Sequence, residues 1–169
     1  MYDQKILKLV RTALLAALCF VLTKVVAIPA PTGYVNLGDC AVLLSAFLLG
    51  PVYGGLAAGI GTALADLLSG YASYVPGTFV IKLAMGVAAA LVFQMLSRKN
   101  HLAAHVAGAV LAECIMIAGY FTYESLVLGV GLAAAASVPA NLFQGVAGVI
   151  SGVILISAVE KSGLAVLSR

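Results

Sequence analysis

The chain has 169 residues, 63% of them apolar and only 9% charged, with a formal net charge of +3. A water-soluble domain carries about a quarter charged residues, so this composition excludes one and describes an all-α integral membrane protein. At roughly 20 residues per crossing, the length suits a single transmembrane domain over 1–169, a compact bundle of about six helices.

The first helix is predicted over about residues 5–28, ending before Pro29 and Pro31. It is too long for a signal-peptide core, and no small-residue cleavage site follows, so it is expected in the mature protein. Residues 29–38 read as a loop. A second apolar segment covers 39–49 and breaks at the turn pair Gly50-Pro51. A third covers about 52–68, where Gly54, Gly55, Gly59 and Gly61 allow close helix contact. A second loop, 69–77, contains Tyr71, Tyr74 and Pro76. Further helices are predicted over about 78–96, 102–120 and 140–159, with Pro139 suited to a first turn. Residues 121–138 are apolar enough for a short helix yet flanked by Tyr123, Glu124, Ser137 and Pro139, so a seventh crossing is the rival count.

The basic residues favour six. Lys5, Lys8 and Arg11 precede the first helix core, Arg98 and Lys99 lie between the fourth and fifth, and Lys161 and Arg169 follow the sixth. With both termini cytoplasmic all three groups fall on the cytoplasmic side, and the loops 29–38, 69–77 and 121–138 contain no Lys or Arg. This is the positive-inside pattern. Cys19, Cys40 and Cys114 lie singly in apolar segments, with no metal or redox spacing, and read as packing thiols.

A few polar groups interrupt the apolar runs, where an ionised side chain costs at least about 2.5–3.5 kcal/mol and so faces a cavity or a partner. Asp39 opens the second helix, Asp66 lies near the external end of the third, and Lys82 stands about one turn into the fourth. Glu113 sits deeper in the fifth, and Asn141 and Gln144 share a face at the start of the sixth. All occupy the external half, so they describe an outward-facing polar pocket roofed by loops carrying Tyr34, Asn36, Tyr71, Tyr74 and Tyr120. Each has a plain alternative. Lys82 with Asp66 or Glu113 could be a packing ion pair, Asp39 a helix cap, Asn141 and Gln144 interhelical hydrogen bonds, and the tyrosines interfacial anchors. His101 and His105 are expected to face headgroups rather than a metal. No nucleophile–base pair, zinc spacing or Walker motif is present, so the chain is not expected to be an enzyme or to hydrolyse ATP. Nor is there length for the inverted repeats of a secondary transporter. The pocket therefore captures and delivers, and a partner does the work.

Several stretches in order along the chain resemble the substrate-binding membrane subunit, or S component, of energy-coupling-factor (ECF) vitamin transporters. They are Asn36-Leu37-Gly38-Asp39, Phe47-Leu48-Leu49-Gly50-Pro51, Gly59-Ile60-Gly61, Ala65-Asp66-Leu67-Leu68-Ser69-Gly70-Tyr71, Pro76-Gly77-Thr78, Gly119-Tyr120-Phe121, Pro139-Ala140-Asn141-Leu142 and Gln144-Gly145. The resemblance implies a six-helix fold in the bacterial cytoplasmic membrane and capture of a small water-soluble vitamin. It also implies docking on a transmembrane coupling protein with two ATPase subunits. Neither a cofactor, a metal nor a nucleic-acid partner is expected. The family places small residues at Ala-x-x-x-Ala spacing on helix 1 against the coupling protein, and Ala13 and Ala17 match. The pattern looks most like members that take hydroxymethylpyrimidine or pyridoxine, with Asn36, Asp39, Asp66, Tyr71, Tyr74, Lys82, Glu113, Tyr120, Asn141 and Gln144 as substrate-binding candidates. The alternatives are another vitamin, such as folate, pantothenate or riboflavin, or a structural membrane protein in which these residues only pack.

Overall fold

The computed structural model describes residues 2–30 and 34–162, so Pro31 and Arg169 of the sequence reading lie outside the described residues. Helix α1 (Tyr2–Val25) leads into a short antiparallel hairpin, β1 (Ala27–Pro29) and β2 (Tyr34–Asn36), where a loop is predicted. Ala27 pairs with Asn36 and Pro29 with Tyr34. Then follow α2 (Gly38–Leu68), α3 (Val75–Leu96), α4 (His101–Thr122) and α5 (Val138–Lys161). Pro76 and Pro139 sit in the first turns of α3 and α5, where a missing N–H costs nothing. Asn100 caps α4 by accepting the Ala103 N–H at 3.0 Å.

The predicted six-helix bundle is corrected here: among the described residues five helices are long and apolar enough to cross a membrane. Segments 39–49 and 52–68 belong to one 31-residue element, α2, broken at Gly50 rather than separated by a loop. Gly50 adopts φ 76° and ψ −176°, a region that is essentially glycine-only, and Pro51 suits the first position of the following arm. Two helical arms meet at this kink. The two arms lie against each other around this break. Ser45 Oγ donates to the Gly54 carbonyl at 3.0 Å, and a Cβ on Gly54 would stand 2.5 Å from the Ser45 carbonyl oxygen. Gly54→Leu is therefore expected to destabilise the fold by about 1–3 kcal/mol, read as a lower midpoint of thermal unfolding in detergent. An unchanged midpoint would contradict the close approach.

Residues 123–137 do not form a further crossing. They make a five-residue π turn, Tyr123–Val127, and a seven-residue 3-10 helix, Gly131–Ser137, both far short of a span. Helix α2 is the centre of the bundle, packing on α1, α3 and α5, while α3 packs on α4 and α4 on α5. The core is built largely from Leu43, Met85, Met116 and alanines such as Ala41, Ala58, Ala89 and Ala112, small side chains that let helices approach closely where dispersion does most of the holding. Lys24 Nζ fastens the end of α1 to that of α2 through the Leu68 carbonyl (2.9 Å) and Ser69 Oγ (3.2 Å). At the other end Lys8 lies over the Tyr53 ring, 4.7 Å from its centroid.

Candidate ligand-binding site

At the end of the bundle carrying the hairpin, a cavity of about 400 Å³, its mouth included, is lined by Tyr34, Asn36, Asp66, Tyr71, Tyr74, Thr78, Tyr120, Glu124, Asn141 and Gln144. Seven of the ten predicted substrate-binding residues are in this lining. Four tyrosines supply its aromatic surface. The rings of Tyr34 and Tyr71 are 5.0 Å apart and tilted by 45°, and Tyr71 meets Tyr74 edge-on at 6.2 Å. Tyr34 OH donates to Asp66 Oδ1 at 2.6 Å. Burial, reinforced by that bond, pushes the Tyr34 phenol well above the usual tyrosine range, so it stays a donor at physiological pH. Thr78 Oγ1 and the Tyr120 hydroxyl share a hydrogen bond of 3.0 Å.

Asp39, Lys82 and Glu113 are placed behind this lining, not in it. Gln144 is the link: its Oε1 accepts the Asn36 backbone N–H at 2.8 Å and its Nε2 donates to Asp39 Oδ2 at 2.6 Å. The other carboxylate oxygen of Asp39 forms an ion pair with Lys82, both side chains being almost fully buried. Lys82 is thus paired with Asp39 and not with Asp66 or Glu113. Asp39 is not the cap of α2 either; Leu37 holds that position and makes no side-chain cap bond. Lys82 Nζ also lies 5.6 Å from the Tyr120 ring centroid, within cation–π range. Glu113 is buried, and among the described residues neither carboxyl oxygen has a hydrogen-bond partner. It fits because α5 presents Gly145 and Gly148 to it, where any Cβ would press on the Glu113 side chain.

Thr78 and Glu124 line the cavity but are absent from the predicted site, and Tyr34, expected only in its roof, lines it as well. Glu124 stands four residues after Tyr120, a helical spacing that puts the two near one face, and that was the available signal. The expectation for His105 is also revised: it is buried, stacked on Phe93 at 4.4 Å and edge-on to Phe47 at 4.7 Å. His101 is exposed and lies 3.8 Å from Glu160. Ala13 and Ala17 are exposed on one face of α1, whereas the Ala16 carbonyl lies against Gly61 of α2. The thiols of Cys19, Cys40 and Cys114 are all free.

Residues 3–161 match the family described as "ECF-type riboflavin transporter, S component". The chain belongs to this S-component family. It is therefore a multi-pass membrane transport subunit that binds substrate, not an enzyme. A protein of Pyrococcus woesei described as uncharacterized, in a gap 3' region, is 38% identical over 125 residues, covering 74% of this chain and 81% of the relative. Two solved structures share the fold. One, described as the S component of a bacterial ECF transporter, superposes with a TM-score of 0.70 at 19% identity, over 95% of this chain and 98% of its own. The other, an S component for biotin from an ECF-type ABC transporter, gives 0.67 at 18% identity over 95% and 94%. The matched family's description names riboflavin rather than the hydroxymethylpyrimidine or pyridoxine of the sequence resemblance.

Proposed function

We propose that this S component captures a flat heteroaromatic vitamin at the extracellular face and releases it inward once docked on a coupling protein driven by two ATPase subunits. The observation that carries this reading is the cavity itself: four tyrosine rings flank a space edged by carboxyl, amide and hydroxyl groups. Aromatic walls with a few fixed polar groups are the common form of a small-molecule site. The orientation rests on charge. Lys8, Arg98, Lys99 and Lys161 belong to the helix ends opposite the cavity, which supports a reading with that end in the cytoplasm and the cavity outside. Within the proposed site, the Asp39–Lys82 pair holds Gln144 in place, and Glu113 backs α5 behind it.

Riboflavin is the first candidate, because the family description names it and its ring system offers a stacking face while its ribityl chain offers hydroxyl donors. Pyridoxine and hydroxymethylpyrimidine form the second reading, because the motifs along the chain look most like members that take them. Calorimetry on the purified chain with these three compounds tests both. One of them is expected to bind with a saturable heat, and Tyr71→Ala is expected to weaken it roughly two- to tenfold, as loss of an aromatic contact of about 0.5–1.5 kcal/mol implies. Absence of binding by all three contradicts the reading.

A further inference from the structure

Glu124 belongs to the cavity, yet neither the sequence pattern nor the family match gives it a role. It lies in the π turn Tyr123–Val127 that ends α4; turns of this kind recur at functional sites. The Glu124 side chain is almost fully buried and still contributes to the cavity wall. Its Oε1 accepts from Tyr74 OH at 3.2 Å, and its Oε2 accepts from Ser137 Oγ at 2.6 Å. The carboxyl is therefore fixed between the turn before α3 and the 3-10 helix before α5. A carboxylate has about four acceptor positions, and these two bonds occupy one on each oxygen.

Among the described residues the lining contains two acidic side chains, Asp66 and Glu124, and no Lys, Arg or His. The nearby cation, Lys82, lies behind the lining and is committed to Asp39. A ligand carboxylate seated against Glu124 would meet a like charge in a site with little water and no countercharge on its walls. A ligand N–H or O–H would meet an acceptor already held in place.

We infer that Glu124 is a specificity-determining residue, accepting N–H or O–H bonds from an uncharged or cationic heteroaromatic vitamin and rejecting carboxylated ones. This rests on the capture reading above and adds to it the ligand chemistry and the residue that selects it. The test is calorimetry on the full chain in detergent with two matched sets: pyridoxine against 4-pyridoxate, and riboflavin against 10-carboxymethylflavin. In whichever set binds, the carboxylated member is expected to bind at least a hundredfold more weakly. Glu124→Gln is expected to shrink that gap to tenfold or less, because the repelling charge is gone. Ser137→Ala, which removes one donor holding the carboxyl, is expected to weaken the uncharged ligand three- to tenfold. Equal binding of the two members of a set by the unaltered chain overturns the inference without recourse to any variant. A gap that persists in Glu124→Gln overturns it while leaving vitamin capture standing. Binding of neither set removes capture of this ligand class and the inference with it.

Discussion

Lys82→Met is expected to destabilise this S component by about 3–5 kcal/mol, the usual penalty for removing one member of a buried ion pair. The side chains of Lys82 and Asp39 are almost wholly out of contact with solvent. Without the ammonium group, Asp39 keeps one side-chain donor among the described residues, Gln144 Nε2, and loses the counterion of its ion pair. Glu113, packed with Asp39 around Gly148 of α5, adds a second acidic group to the same region. The double variant Lys82→Met/Asp39→Leu is expected to recover most of the loss, since an apolar pair of similar volume avoids the desolvation of both charges. Unfolding in detergent, followed by circular dichroism, reads both effects. A single variant within about 1 kcal/mol of the unaltered chain would show that the pair is wetter than its burial indicates. The pair is best understood through geometry: it fixes Asp39, Asp39 fixes Gln144, and Gln144 reaches the cavity wall.

Replacing Ala13 and Ala17 together with leucine is expected to abolish ATP-dependent uptake while leaving vitamin affinity within about twofold. Both alanines are exposed on α1, a helix that packs chiefly on α2 and leaves most of its surface free. Small residues on such a face allow a second helix to approach closely in lipid, and leucines there would hold it away. Ala13 and Ala17 stand near the middle of α1, and the Lys24 end of the helix adjoins the cavity-bearing end of α2. Ala16→Leu behaves differently, because the backbone at Ala16 is in contact with Gly61; it is expected to lower stability instead. Uptake at the unaltered rate in the double leucine variant would remove α1 as the docking surface. Loss of vitamin binding would mean that these alanines serve the interior packing.

Much of this architecture is legible in the residues, and the failures have physical causes. The apolar runs give every long helix, and the prolines mark the starts of α3 and α5 to within a few residues. The break at Gly50-Pro51 is also visible, but a turn pair does not say whether a loop or a sharp backbone break follows. Here the two predicted segments are helical arms that meet at a kink at Gly50 within α2. The clustering of polar residues at one end identifies the cavity, because hydrocarbon penalises them everywhere else. Which of them touch one another depends on helix rotation, which spacing along the chain does not encode. Lys82 therefore meets Asp39, 43 residues away, rather than the nearer Asp66. Glu124 is hidden for another reason. A π turn inserts a residue into the helical repeat, so the pattern through 121–138 loses its period where a cavity-lining residue stands.

Uptake into proteoliposomes tests the central claim most directly. The chain is reconstituted with the coupling protein and its two ATPases, and the labelled vitamin identified by calorimetry is supplied outside. Accumulation that needs this chain, the coupling module and ATP together is the predicted result. Accumulation that proceeds equally without this chain, or a chain that neither binds a vitamin nor associates with the module, would contradict the account.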